Sequence, residues 1–250
     1  MSEAAREISA AHVVGLSQQD MAGYWWYAVR QGWVRRALRR QAARGPLRYL
    51  DFGCGTGGVL ASVRREFAPE EALGLDGTQD AIDVGLGRGL PVRLADFRRP
   101  IEPGFAPNAI TCLDVLEHLE DPVRALRHLR AVADPQALLV VTVPAMPSLW
   151  SRWDEICGHH RRYTRALLRE HLRQGGFEPT RVRYAFSYCW PPAWWQRRVR
   201  KQVQEFEFPP VSKAANALLT WAGAVERAFG GPLPFGTSLV AEARLGAAPA

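Results

Sequence analysis

The sequence predicts an α/β fold in which a mostly parallel sheet carries helices on both faces. Three observations point there. Short β-rich runs alternate with helical patterns from residue 47 onward. The first run leads directly into a glycine-rich turn and a helix, and residues 137–143 form the unbroken apolar run expected of a strand buried on both faces. The 250 residues are 47% hydrophobic, enough for one full core, and a charged fraction of 23% belongs to a folded chain rather than a disordered one. A single domain over 1–250 is the simplest organisation. Its parts are an N-terminal helical lid (18–43), a sheet-and-helix core (47–186), a helical cap insertion (187–234) and a last strand (235–245).

In the lid, Trp26, Val29, Trp33 and Ala37 make an apolar stripe at helical spacing, with Arg35, Arg36, Arg39 and Arg40 beside it, and Gly45-Pro46 ends the helix. Strands follow over 47–52, 72–75, 91–95 and 109–113, the last three ending at Asp76, Asp96 and Asp114. Helices are expected over 59–67, from Thr78 and over 122–132, before the fifth strand at 137–143. Residues 144–163 read as a long loop. Thr164 is a good N-cap for a helix over 165–174 that Gly175-Gly176 ends, and 181–186 is a sixth strand. The insertion shows two apolar stripes, one through Trp195, Val199, Val203 and Phe206, the other through Val211, Ala215, Leu218, Ala222, Val225 and Phe229. Residues 238–244 close the chain as a strand.

Net charge is +7, and all but two of the 32 basic residues are arginine. They are spread along the chain, which favours an ordinary solvated surface over a nucleic-acid footprint. The exception is the insertion, where Trp190, Trp194 and Trp195 stand beside Arg197, Arg198, Arg200 and Lys201. Such a helix suits a cap over a pocket, and it leaves peripheral membrane contact open. Cys54, Cys112, Cys157 and Cys189 contain no C-x-x-C pair, so no zinc or redox pair is expected, and no metal-ligand set is read from the sequence. With no apolar run of membrane-spanning length and no leader-like pattern, the expectation is free thiols in a reducing cytoplasm, as a monomer or homodimer.

The strongest local signal is Leu50-Asp51-Phe52-Gly53-Cys54-Gly55-Thr56-Gly57-Gly58. Glycines let the backbone turn sharply and let a ligand lie against bare peptide, while the helix start adds amide donors. Gly53, Gly55 and Gly58 also satisfy the dinucleotide pattern, with Asp76 at the ribose position. Asp51 decides between them. An acid two residues before the first glycine repels a pyrophosphate but suits a ligand carrying an ammonium and a sulfonium, as S-adenosylmethionine (SAM) does. Asp76 would then take the ribose hydroxyls and Asp96 the adenine amino group, with Phe97 beside it. Asp114 would lie near the methionine end. Singly, each acid has a second reading as a strand-end turn residue or cap; as a series that reading weakens.

These motifs, with Asp114-Val115-Leu116-Glu117-His118-Leu119, resemble the ordered motifs of class I SAM-dependent methyltransferases, in a bacterial subgroup related to ubiquinone-pathway-type enzymes. Tyr24-Trp25-Trp26-Tyr27, Val143-Pro144, Leu149-Trp150-Ser151, Asp154, Gly158-His159-His160-Arg161-Arg162-Tyr163-Thr164, and Leu233-Pro234-Phe235-Gly236 with Ser238-Leu239 extend the resemblance over nearly the whole chain. It implies a Rossmann-like seven-stranded sheet whose last strand is antiparallel and lies at the edge. It also implies SAM as cofactor across the first two strands, and Gly53, Gly55, Asp76 and Asp96 as cofactor residues. Around them Asp51, Cys54, Gly77, Phe97 and Asp114 complete the expected cofactor set, and Tyr24, Trp25 and Arg30 would reach it from the lid.

The candidate catalytic residues are His118, His159 and His160. Each also has a structural reading: His118 as a helix-start histidine bonded to backbone, and His159 and His160, where the structural reading comes first, as anchors of their loop, with Arg161–Tyr163 pairing with acids such as Asp154 or Glu155. The acceptor pocket is expected between 144–163 and 187–234, apolar, with His118, His159, His160 and Tyr163 as its polar groups, and suited to a small or medium aromatic or lipid-like acceptor. Oxygen is the first choice of methylated atom and nitrogen the second. A nicotinamide-dependent oxidoreductase and a non-catalytic SAM-binding protein are the alternatives. Nucleic acid is disfavoured as substrate, because Asp114-Val115-Leu116-Glu117 stands where a flipped-base enzyme carries an Asn/Asp-Pro-Pro-aromatic clamp.

Overall fold

A computed structural model describes residues 23–197, 211–231 and 233–246. The start of the expected lid helix, and Val199, Val203 and Phe206 of the first insertion stripe with Arg198, Arg200 and Lys201, lie outside the described residues. Seven strands form one sheet: β1 (Arg48–Phe52), β2 (Glu71–Asp76), β3 (Val92–Leu94), β4 (Ala109–Leu113), β5 (Leu138–Pro144), β6 (Phe177–Ala185) and β7 (Ser238–Leu245), in the order β3-β2-β1-β4-β5-β7-β6. The helices are α1 (Trp25–Ala42), α2 (Gly58–Phe67), α3 (Gln79–Gly87), α4 (Pro122–Val132), α5 (Arg152–Ile156), α6 (Arg165–Gln174), α7 (Trp190–Trp195) and α8 (Lys213–Ala228).

Strand alternation divides the core. Leu50 and Phe52 of β1 and Leu139, Val141 and Val143 of β5 face α4 and α6, burying Leu126, Leu129, Leu168 and Leu172. Tyr49, Leu138 and Val140 face the opposite side, against Val34 and Leu38 of α1 and Leu60 and Val63 of α2. Strand order reverses between β1 and β4, the point at which open α/β sheets bind ligands.

β7 is antiparallel as expected, but it is not the edge strand: it lies between β5 and β6 and pairs with both. The residues explain this. Leu239, Ala241 and Ala243 join one core while Val240 packs with Val29 and Trp33 on the other side, so β7 is apolar on both faces. β6 carries Pro179 at a register shift, with Arg181 and Arg183 nearby, which suits an edge. The loop at 144–163 is also more structured than expected, containing a 3-10 turn (Pro147–Leu149) and α5.

The second insertion stripe runs along α8, but it is not the face that packs most closely: Leu218 and Phe229 are 62% and 77% exposed, while Ala215, Ala222 and Val225 are half-buried. The packed line runs through Asn216, Gly223 and Glu226. Asn216 accepts from the Trp25 N–H (2.7 Å) and donates to the Gly23 carbonyl (2.9 Å). The Glu226 carboxylate accepts from the N–H groups of Phe186 (2.7 Å) and Ser187 (2.8 Å). Between them a Cβ on Gly223 would overlap Val29, so only glycine permits this approach of α8 to α1. Gly223→Ala is expected to lower stability by about 1–3 kcal/mol through overpacking, measured by chemical denaturation. An unchanged midpoint would mean that α8 does not rest on α1 as described.

Candidate active site

The glycine turn is fixed by β2. The N–H groups of Gly53 (2.7 Å) and Cys54 (2.9 Å) both donate to the Leu75 carbonyl. Gly53 has φ +78° and a Cβ there would strike Val115, so the position needs glycine on both counts. Gly55, at φ +53°, faces open space. Asp76 closes the turn: one carboxylate oxygen accepts from the Gly55 N–H (2.8 Å), the other from the Thr78 N–H (2.9 Å), and each retains a lone pair. Gly77 beside it is exposed, and Cys54 is a buried free thiol whose pKa burial pushes upward.

Asp51 lies beneath this turn, 2% exposed. Its Oδ1 accepts from the Thr111 hydroxyl (2.7 Å), which meets the Tyr49 hydroxyl at 2.5 Å. Its Oδ2 is buried with no hydrogen-bond partner among the described residues. Burial raises the Asp51 pKa to about 6, against the hydrogen bond from Thr111 and the pull of Arg30, with Asp76 adding repulsion. Arg30 ion-pairs with Asp114 (2.6 Å) and lies over the rings of Trp26 (4.6 Å) and Tyr27 (5.0 Å). Asp114 itself has φ +55°, an uncommon conformation for aspartate, immediately after β4.

Farther along, Asp96 is gripped by Arg98 through both oxygens (2.9 and 3.0 Å), which holds its pKa down to about 2. Phe97 stacks on Phe52, centroids 3.8 Å apart. Of the lid residues, Tyr24 is the N-cap of α1, and Trp25 packs against Phe186 and Tyr188. The structure thus brings Asp51, Gly53, Gly55, Asp76, Arg30 and Asp114 into one region and places Trp25 at the junction of α1 with the insertion.

The histidines separate. His118 and His159 meet edge to face, 4.7 Å between centroids. His118 is exposed, yet the protein crowded around it and the neighbouring His159 push its pKa down to about 3, against a hydrogen bond with the Cys157 backbone. The His159 Nδ1 meets Asp154 Oδ1 at 2.9 Å. His160 is exposed and donates its backbone N–H to the Glu117 carbonyl (2.7 Å). Tyr163, expected as a pocket group, is instead fully buried in the core beside His171, because its ring fills space against Leu116.

Two residues that sequence reasoning left outside the site support it. Glu117, buried on the 3-10 turn Leu116–His118, lies beside both histidines, and its place next to His118 in the motif was the available signal. Asp154, the second, accepts from Arg162 Nε (2.7 Å), from His159 and from the Ser151 N–H (2.9 Å). Burial pushes its pKa up, but these bonds and the Arg162 charge outweigh that and bring it to about 2. The insertion reaches the same loop, where Arg197 donates to the Leu149 carbonyl (2.5 Å).

The fold and the glycine turn are those of the class I methyltransferases. The chain belongs to the methyltransferase-domain family, whose model matches residues 18–182. Curated relatives include an uncharacterized 37.1 kDa protein of transposon TN4556 from Streptomyces fradiae, 32% identical over 133 residues, 50% of this chain and 38% of the relative. A ubiquinone biosynthesis O-methyltransferase of Bordetella pertussis is 29% identical over 137 residues, 46% of this chain and 54% of the relative. The chain thus spans about half or less of the length of these relatives. Among solved structures, the [4+2]-cyclase SpnF has a TM-score of 0.62 at 23% identity (97% of this chain, 93% of that one). A SAM-dependent methyltransferase of Archaeoglobus fulgidus has a TM-score of 0.52 at 18% identity (86% and 94%). No described helix is long and apolar enough to cross a membrane.

Arg162 and Asp154 are 2% and 0% exposed, so Arg162→Met should strand a buried carboxylate and lower stability at pH 7 by about 3 kcal/mol. Because the folded pKa of Asp154 is depressed, the wild-type advantage should be complete above about pH 4 and fade as pH falls toward 2. Denaturation curves across that range check both, and a constant gap would remove Asp154 from the pair.

Proposed function

We propose that this protein transfers the methyl group of SAM to a hydroxyl of a small or medium, aromatic or lipid-like acceptor. The observation that carries the reading is Asp51: a buried carboxylate with one unpartnered oxygen, beneath a glycine turn that opens onto free space. A cationic ligand satisfies that oxygen, whereas a dinucleotide pyrophosphate is repelled by it, which speaks against the nicotinamide alternative. Asp76 has lone pairs left for ribose hydroxyls, Phe97 and Asp96 would take the adenine, and Arg30 with Asp114 would receive the amino-acid end. SAM supplies a methyl already bonded to a good leaving group. The chain's own residues therefore have to align the acceptor, exclude water and remove one proton. The polar pair His118–His159, on the loop that the insertion meets, is the place proposed for the acceptor hydroxyl. The name of the O-methyltransferase relatives supports oxygen over nitrogen.

Calorimetric titration tests the cofactor. SAM and S-adenosylhomocysteine should bind in the micromolar range and NAD(H) should not; comparable NAD(H) binding would sink the reading. Asp76→Ala should weaken SAM by about 1–3 kcal/mol through lost charge-assisted hydrogen bonds.

The pH dependence is a separate check. With its folded pKa raised to about 6, Asp51 contributes stability only while protonated, and that contribution is lost as pH rises through 6. A cation that favours the ionised form should therefore bind more tightly as pH rises, by up to about tenfold per unit below pH 6, and level off above it. Asp51→Asn should flatten the profile. An unaltered slope in that variant would assign the titration to another group.

A further inference from the structure

We propose that Glu117, His118 and His159 form a site for a divalent first-row transition ion, which holds the acceptor hydroxyl; the second half of this statement rests on the methyl-transfer reading, the first does not. One ligand-type atom from each residue lies within 4.8 Å of the other two. Two come from the 3-10 turn that leaves β4 directly after Asp114, the third from the loop after β5, so the cluster sits at the carboxyl ends of adjacent strands beside the sheet's switch point.

The orientation of the rings is the second observation. The His159 Nδ1 is held by Asp154, itself fixed by Arg162 and by the Ser151 N–H, which leaves Nε2 as the outward nitrogen. His118 has a hydrogen bond to the Cys157 backbone, which occupies one of its ring nitrogens as well. One ring nitrogen fixed by a carboxylate or backbone group and the other presented outward is how metal-ligating histidines are oriented. A structural loop anchor needs only the first half of this arrangement. Here two such rings meet, with a Glu117 carboxylate oxygen within 4.8 Å of a ligand nitrogen on each.

Two imidazoles and one carboxylate favour Zn²⁺, Fe²⁺, Co²⁺ or Mn²⁺ over Mg²⁺ or Ca²⁺. Bonds of about 2.1 Å require ligand atoms roughly 3.4 Å apart, so the side chains draw inward by about 1 Å when the ion enters. Three protein ligands leave a coordination position for the acceptor oxygen. Held there, the hydroxyl loses its proton to water more readily. Its oxygen then forms the bond to the methyl carbon, and the C–S bond breaks with its electron pair passing to sulfur. The products are a methyl ether and the neutral thioether S-adenosylhomocysteine.

The test uses the full chain, stripped with chelator and dialysed against Co²⁺ alone, with S-adenosylhomocysteine affinity measured on the same samples. Wild type should bind one Co²⁺ per chain with a visible ligand-field spectrum. His159→Ala and Glu117→Gln should each weaken Co²⁺ by about 100-fold or more, and Asp154→Asn by about 10–100-fold, with S-adenosylhomocysteine affinity retained. His128→Ala, on α4, should bind Co²⁺ as wild type does. A wild-type protein that binds S-adenosylhomocysteine but no Co²⁺ overturns the metal site and leaves the methyl-transfer reading standing. Undiminished Co²⁺ in both His159→Ala and Glu117→Gln also overturns it. Co²⁺ binding lost in those variants, without S-adenosylhomocysteine binding in any sample, upholds the metal site and sinks the methyl-transfer reading instead.

Discussion

A carboxylate at the end of a central strand is expensive to enclose, and much of the surrounding architecture is arranged around Asp51. One oxygen is satisfied by a hydroxyl chain, Thr111 and then Tyr49, that crosses from β4 to β1. The other has no partner among the described residues, so the interior is left one positive group short at this point. Arg30 supplies part of the missing charge from α1, but its hydrogen bond goes to Asp114 rather than to Asp51. A fully apolar residue at 51 would fold more comfortably. The strained aspartate at 114 and the positive-φ glycines at 53, 55 and 57 end two adjacent strands, β4 and β1, as is common where a protein gives up stability to hold a ligand.

The sheet sets the geometry in which that deficit becomes useful. Because strand order reverses between β1 and β4, the loops after these two strands diverge and open a crevice. The glycine turn forms one wall, tied down by two amide bonds to Leu75. The turn through Glu117 and His118 forms the other, tied to the long loop by the His160 N–H. The two turns that flank the switch point are thus held by backbone hydrogen bonds rather than by mobile side chains.

Much of this was legible in the residues. The strand–turn–helix register around residues 50–58 and the acids that end β2 and β4 follow from local pattern, and so does the Thr164 cap, which accepts from the Leu167 N–H (3.1 Å). Pairing order was not, because β7 and β6 compete for the same neighbour and strand pattern alone does not choose. The clues were the two-faced apolar character of β7 and Pro179 in β6. The packed face of α8 was missed for a related reason. Apolar periodicity picks out Leu218 and Phe229, whereas contact is decided by a glycine and two polar anchors that a hydrophobic pattern ignores. The histidines stand out individually in the sequence, yet which two meet depends on how the loop folds over Asp154, a long-range choice invisible to spacing.

The anchoring of α8 bears on how such a protein can be rebuilt. Positions 216, 223 and 226 serve three different neighbours: the start of α1, the middle of α1, and the chain leaving β6. Exchanging the insertion for that of a relative would disconnect both the first helix and the sheet edge unless these three residues travel with it at the same spacing. The opposite side of α8, where Leu218 and Trp221 are exposed, carries no such anchor among the described residues. A chimera designer could rewrite that surface freely while leaving the three inner positions untouched.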